Sequence, residues 1–233
     1  FSGGFYKGKE KTIRPKSPLS RYELIDTQEK LFEAIETLSG ISIIGLDCET
    51  LGLDPHQHRV RLLQISSPGN PVFVFDLFKL PDISPLKSIL QGDAIKVGQN
   101  LKFDLQMLWS AGLTLSQPIF DTMIANQLLV AGLTGKRSNL SALCEEYLGE
   151  SVDKESQTSD WSKMKLAPAQ LEYAAKDAFV LLPLYERLND ELEKAGLSNV
   201  ARLEFEALPA IAEIEYNGML IDRAKLAWKR WKV

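Results

Sequence analysis

The chain has 233 residues and a formal net charge of −4, with 45% hydrophobic and 25% charged residues. This composition predicts a globular chain that can bury one good-sized core. No apolar run of about 18 residues and no charged-then-apolar leader is found, so we expect neither a membrane span nor a signal peptide.

The two cysteines, Cys48 and Cys144, lie in apolar stretches and lack the spacing of a metal site. They are predicted to be reduced core residues. We therefore expect a reducing compartment, which is cytoplasmic in a bacterium or organellar. Secretion and a membrane partner are not expected.

The charge is unevenly distributed along the chain. Residues 1–21 carry six Lys or Arg and one Glu, a net charge of +5 that leaves −9 for the rest. We interpret residues 1–22 as a basic, solvated N-terminal tail. The acidic remainder argues against broad electrostatic wrapping of duplex nucleic acid, because that requires many Lys and Arg contacts to phosphates.

Hydrophobic periodicity, capping residues and turn composition predict the following elements. They are, in chain order, a helix over 28–38, strands over 41–50, 60–66 and 72–76, a helix over 84–90, a strand over 95–98, and helices that begin near 100, 122, 139, 168 and 203. The first three strands are expected to form an antiparallel meander. Strands first, and then strand and helices in alternation, predict a mixed α/β sheet flanked by helices.

The strand over 41–50 ends in two carboxylates, Asp47 and Glu49. Because side chains alternate along a strand, both point to the same face. An isolated pair of this kind is usually a solvated strand end. Two further pairs, Asn100 with Asp104 and Tyr173 with Asp177, are each four residues apart in helical segments and share a helical face.

D-x-E, N-x-x-x-D and Y-x-x-x-D, in this order, resemble the motifs of the DEDD superfamily of 3′–5′ exonucleases. The chain resembles the tyrosine-containing branch, since Glu172 stands where the sibling branch has a His. The resemblance implies a ribonuclease-H-like fold, in which an antiparallel meander and parallel strands form one mixed sheet flanked by helices.

The chain resembles two different groups within this superfamily. The segments 47–54, 99–104, 121–123 and 173–177 resemble the proofreading exonuclease domain of family A DNA polymerases, whereas 157–162 and 170–177 resemble ribonuclease D and Werner-type exonucleases. The stretch 206–222 resembles the junction through which family A polymerases continue into their polymerase domain. We therefore predict an exonuclease domain over 23–198 and a helical junction over 199–233.

The resemblance also implies the site. Asp47, Glu49 and Asp177 would hold one divalent ion, and Asp47 with water-linked Asp104 a second, both of them Mg²⁺ or Mn²⁺, which prefer carboxylate oxygens. Tyr173 would orient the attacking water. The predicted catalytic residues are therefore Asp47, Glu49, Asp104, Tyr173 and Asp177.

Four residues are predicted to contact substrate, each with a plainer alternative. Leu53 matches a residue that packs against terminal bases, but it could be ordinary packing. Gln99 and Asn100 match positions that contact the strand, although Asn100 could be only a helix cap. Trp161 could stack on a base, although a buried aromatic fits its position better.

The expected function is removal of 5′-mononucleotides from the 3′ end of single-stranded or frayed DNA, as the proofreading portion of a bifunctional exonuclease/polymerase. The expected partners are these DNA ends and a covalently following polymerase domain. One alternative is RNA 3′-end trimming of the ribonuclease D kind. Another is a non-catalytic module that binds nucleic acid or a polymerase.

Overall fold

The computed structural model of the protein describes residues 21–150, 159–223 and 225. The predicted basic tail therefore lies almost wholly outside the described residues. So do Gln157 and Thr158 of the ribonuclease D-like segment and most of the stretch beyond residue 223.

Six strands form one mixed sheet in the order β1-β4-β3-β2-β5-β6. The strands are β1 (Tyr22–Ile25), β2 (Ile43–Thr50), β3 (Val60–Ser66), β4 (Val72–Asp76), β5 (Ile95–Gly98) and β6 (Ile119–Asp121). The predicted meander is confirmed, because β3 pairs antiparallel with both β2 and β4. The parallel pairs are β1 with β4, β2 with β5 and β5 with β6. The edge strands β1 and β6 were not predicted.

Seven α-helices flank the sheet in the part of the chain that the structure describes. They are α1 (Gln28–Leu38), α2 (Lys87–Leu90), α3 (Leu101–Ser110), α4 (Thr122–Leu129), α5 (Leu140–Leu143), α6 (Pro168–Lys194) and α7 (Ser198–Asn217). A 3₁₀ turn precedes α2 and a π-helical turn follows α5. None of the described helices has both the length and the apolar character needed to cross a membrane. Cys48 and Cys144 are buried and free, as predicted.

The close approach of α6 to the sheet brings the helix to the acidic end of β2. Ala174, Ala175 and Ala178 form the buried face of the helix. A Cβ at Gly45 of β2 would lie 2.4 Å from Ser66 Oγ and 2.8 Å from the Ala178 carbonyl oxygen. The Ser66 hydroxyl also donates to that carbonyl at 2.7 Å. Only glycine at position 45 therefore permits this helix-to-strand distance.

The last helix, α7, packs against α3. Leu208 and Ala212 lie in the same apolar core cluster as Leu105 of α3. Lys102 and Glu215 form an ion pair at 2.8 Å, which joins the exposed edges of the two helices. The division between an exonuclease domain and a helical junction at residues 198 and 199 stays a prediction.

Candidate active site

Three of the predicted acids meet where β2 ends beneath α6. Each of Asp47, Glu49 and Asp177 offers a carboxylate oxygen, and these oxygens all lie within 4.8 Å of one another. Asp47 and Glu49 face α6 because they alternate with Cys48 along the strand. Asp177 comes from α6. Its neighbour Ala178 lies close to β2 because Gly45 has no side chain. The strand and the helix thus bring together residues 130 positions apart.

The fourth acid, Asp104, lies beside this group rather than within it. It is buried in the first turn of α3, next to Cys48, whose thiol and backbone N–H lower the pKa of Asp104 against the effect of burial. Its charge is nevertheless a cause, second only to burial, of the raised pKa of Asp47. Asp104 therefore shares the electrostatic environment of the three clustered acids.

All four carboxyl groups have pKa values above their usual range. Burial is the largest cause in each case, since it disfavours the charged form. It raises the pKa of Glu49 and of Asp104 to about 8, and the pKa of Asp177 to about 6. Repulsion from Asp104, Glu49 and Asp177 adds to burial at Asp47. Without a bound divalent ion, the buried cluster therefore favours protonated carboxyls, and the nearby Lys176 lowers the pKa of Asp177 only in part.

A hard divalent cation suits this donor set. Oδ1 of Asp177 is buried and has no hydrogen-bond partner among the described residues. A buried carboxylate oxygen without a donor requires an explanation, and an ion is one that also relieves the repulsion among its neighbours. Carboxylate oxygens alone select ions of the Mg²⁺, Mn²⁺ or Ca²⁺ kind. Asp47, Glu49 and Asp177 are the residues that would hold such an ion.

Tyr173 lies one helical turn before Asp177 and is half-buried at the same site. Its hydroxyl donates to the Asp177 carboxylate, which lowers the pKa of that acid against the effect of burial. Burial and the neighbouring carboxylates raise the pKa of the Tyr173 hydroxyl above its usual range. Tyr173 is therefore a neutral hydroxyl directed at the acidic cluster.

A single carboxylate fixes the start of the helix that carries Asp104. The side chain of Asp121 accepts from four backbone N–H groups at the starts of α3 and α4. The donors are Asn100, Leu101, Met123 and Ile124, at 3.2, 2.7, 2.8 and 3.1 Å. Asn100 has a left-handed backbone with φ of 58°, and its side chain makes no capping bond. Asn100 occupies the N-cap position of α3, but Asp121 accepts the hydrogen bonds there; a contact between Asn100 and substrate stays a prediction.

The other predicted substrate contacts lie in different surroundings. Leu53 is 82% exposed in the loop that follows the carboxylate-bearing strand. The amide of Gln99 is already engaged, since it donates to the Ser138 carbonyl and accepts from the Thr122 hydroxyl, each at 2.6 Å. Leu53 is free to meet a ligand, whereas Gln99 positions the chain around residue 138.

Trp161 does not have a free ring face. It is only 5% exposed and belongs to the apolar cluster beneath α6 that contains Leu62 and Val74. Base stacking needs an accessible ring, so the structure corrects this prediction in favour of the buried aromatic.

The loop that carries Leu53 is tied to the end of α7, which the sequence did not indicate. Nε2 of His56 lies 2.8 Å from the carbonyl oxygen of Tyr216, and the two rings are 4.4 Å apart.

The sequence also did not indicate the roles of Gly45 and Ser66 in bringing α6 close to β2. An isolated glycine inside a strand is a known sign of close backbone approach, so Gly45 could have been found.

An acidic cluster at the end of the central strand, on a ribonuclease-H-like sheet, defines the class of nucleases that depend on divalent metal ions. A sequence profile for the 3′–5′ exonuclease family matches residues 22–193. The chain therefore belongs to the 3′–5′ exonuclease family, in its DEDD branch, and is an enzyme. This excludes the non-catalytic alternative.

Relatives of two kinds are similar to the chain. DNA polymerase I of Aquifex aeolicus is 35% identical over 226 residues, which cover 89% of this chain and 37% of the polymerase. Ribonuclease D of Escherichia coli is 30% identical over 178 residues, which cover 75% of this chain and 46% of that enzyme. The chain thus spans half or less of the length of these two relatives.

Among solved structures, NrnC of Brucella melitensis superimposes with a TM-score of 0.73 at 30% identity, covering 85% of this chain and 93% of that one. NrnC has also been solved bound to Mg²⁺ and bound to pGG. The structure of E. coli ribonuclease D gives a TM-score of 0.75 at 27% identity, with coverage of 86% and 52%.

Proposed function

We propose that the chain removes 5′-mononucleotides from the 3′ end of single-stranded or frayed DNA, as the proofreading portion of a bifunctional exonuclease/DNA polymerase. The observation that carries the chemistry is the cluster of three carboxylates with the unpartnered Asp177 oxygen. The choice of DNA is supported by the Aquifex polymerase, whose similarity extends over 89% of this chain.

The proposed cofactors are two Mg²⁺ or Mn²⁺ ions, held by Asp47, Glu49 and Asp177 and, through water, by Asp104. When bound, such ions supply an activated water and stabilise the leaving 3′ oxygen. The Tyr173 hydroxyl donates to Asp177 and has a lone pair left for the attacking water, which it orients. Glu49 would help to orient the same water.

RNA is the second candidate substrate. It is favoured by the similarity to ribonuclease D, at 30% identity for the E. coli enzyme. An enzyme that reads a free end and its phosphates, without contacts to base edges, has weak sequence preference on either substrate.

Matched 5′-labelled single-stranded DNA and RNA, incubated with Mg²⁺, Mn²⁺ or EDTA, test the function. A DNA ladder that shortens from the 3′ end only with metal supports the proposal. Trimming of RNA alone supports the second candidate. The same preparation of an Asp177→Ala variant controls for contaminating nucleases, and metal-dependent cutting that persists in it would place the site elsewhere.

We expect single-stranded and mismatched 3′ ends to be cut faster than paired ends. We expect the acidic site to admit only an unpaired end, so a duplex must first melt locally, at about 0.6–2.2 kcal/mol per base-pair step. Initial rates on single-stranded, frayed and blunt duplex DNA of one sequence measure this. Equal rates on the blunt duplex and the single strand would contradict it.

Leu53→Ala should lower the rate of digestion several-fold and leave the melting midpoint unchanged. Leu53 is 82% exposed, so its loss removes a contact to substrate and little folding energy, about 0.5 kcal/mol or less. Phe32→Ala is the matched control, because Phe32 is a 56% exposed apolar residue on α1, a helix without site residues. An unchanged digestion rate in Leu53→Ala would mean that Leu53 is an exposed residue that does not contact the substrate.

A further inference from the structure

Gln64 is a buried amide next to one of the clustered acids. It lies in β3 directly opposite Asp47 of β2 in the antiparallel register and has no solvent exposure. Residues paired in this way have Cβ atoms about 4.5–5.5 Å apart and point to the same face. Here that face is the one covered by α6. The side chains of Gln64 and Asp47 are thus cross-strand neighbours on this face.

The amide of Gln64 lacks hydrogen-bond partners. In the described part of the chain, four buried side-chain atoms have none, and two of them are Nε2 and Oε1 of Gln64. Its other neighbours on this face, Leu62 and Val74, belong to an apolar cluster. A buried amide left unpaired costs about 1–3 kcal/mol relative to a satisfied one. Asp47 is the one ionisable residue paired with it across the sheet.

We propose that Gln64 is a positioning residue of the active site, whose side-chain Nε2 donates a hydrogen bond to the Asp47 carboxylate when that carboxylate holds a divalent ion. This inference rests on the proposed metal site. Ligand carboxylates need such donors, because a hydrogen bond to the oxygen that faces away from the ion fixes the orientation of the ligand. Gln64 is suited to this, since its amide has no competing partner among the described residues.

The test replaces Gln64 with Met, which has a similar length and no amide. If the amide were only structural, its loss would change stability and not metal binding. If it positions Asp47, Gln64→Met should weaken Mn²⁺ binding about 10- to 100-fold. Because the lost amide is unpaired, the variant should melt in EDTA no lower than the wild type. The readouts are calorimetric titration with Mn²⁺ and melting curves in EDTA.

Gln117→Met is the matched control. The amide of Gln117 is satisfied by the Phe205 carbonyl and the Ile119 N–H, and Gln117 precedes β6, which β5 separates from β2. Its replacement should lower the melting midpoint and leave the Mn²⁺ dissociation constant unchanged. An unchanged dissociation constant in Gln64→Met overturns the inference alone, whereas a wild type that binds no Mn²⁺ overturns the metal site as well.

A readout on the wild type covers the case in which Gln64→Met does not fold. The side-chain amide resonances of Gln64, assigned through their side-chain carbons, should shift as Mg²⁺ is added, and should saturate with the binding isotherm. Those of Gln117 should not move. A Gln64 amide that stays at its metal-free position while Mg²⁺ binds would refute the proposed hydrogen bond.

Discussion

Asp177→Ala should abolish hydrolysis, whereas Tyr173→Phe should leave a measurable fraction of it. Asp177 contributes a carboxylate to the cluster of three, so its loss removes a metal ligand and with it the metal-assisted chemistry. Tyr173 contributes a hydroxyl that orients a water. Loss of that orientation costs about 10²-fold, the scale of a 1 Å misplacement.

Single-turnover rates on a 3′-labelled strand, at saturating Mg²⁺, separate the two effects. Both controls come from α6. Tyr185→Phe removes a hydroxyl from a ring that packs against Phe120, and Asp190→Ala removes an exposed acid. Both should retain full activity. Complete loss in Asp177→Ala and Tyr173→Phe alike would contradict this division of roles, and full activity in both would mean that the site is elsewhere.

The double variant Asp47→Ala/Glu49→Ala should lose catalysis and yet melt no lower than the wild type in EDTA. Unit charges about 4 Å apart interact by about 4 kcal/mol at an effective dielectric of about 20, and these acids lie within 4.8 Å of Asp177. Removing two of them relieves that repulsion. An ion that binds only the folded state stabilises it by mass action, so Mn²⁺ should raise the wild-type midpoint and barely change that of the double variant.

The difference in stability between the wild type and Asp47→Ala/Glu49→Ala in EDTA should depend on pH. The folded pKa values of Glu49 and Asp104, at about 8, lie above their unfolded values near 4. The folded state therefore holds protons that the unfolded state has released, and stability in EDTA falls as pH rises. The wild type should lose stability between about pH 4 and pH 8, and the double variant should lose less.

Melting curves at several pH values, with EDTA and with Mn²⁺, measure both effects. The control variant Glu33→Ala/Glu36→Ala on α1 also removes two negative charges, but from exposed positions. It should respond to Mn²⁺ and pH as the wild type does. If Asp47→Ala/Glu49→Ala is much less stable in EDTA, or gains as much from Mn²⁺ as the wild type, these acids are structural.

Local patterns allowed much of the fold to be predicted. The strands β3 and β4 have the predicted bounds, and Thr27 and Asp121 cap the predicted helices, because periodicity and caps depend on neighbours in sequence. The edge strands β1 and β6, with four and three residues, are too short to show a period. They are strands because β4 and β5 offer them partners.

The site could be predicted less completely, because its details depend on distant contacts. Motif order identified the acids. It did not reveal that Thr122 and Ser138 engage Gln99, or that Trp161 lies under α6. The Gln99 bonds join residues 23 and 39 positions apart, and the cluster around Trp161 contains Leu62 and Val74, which are 99 and 87 positions away. No local pattern specifies them.

The position of α7 bears on where the chain can be cut for recombinant expression. The matched family region ends at residue 193, which would be the obvious cut point. A chain ended there would lack Phe205, which packs against Phe120 of the edge strand at 4.8 Å, and would uncover the apolar side of α3. The uncovered surface would favour aggregation. A stable fragment should therefore extend through Asn217, where α7 ends and its link to His56 is complete.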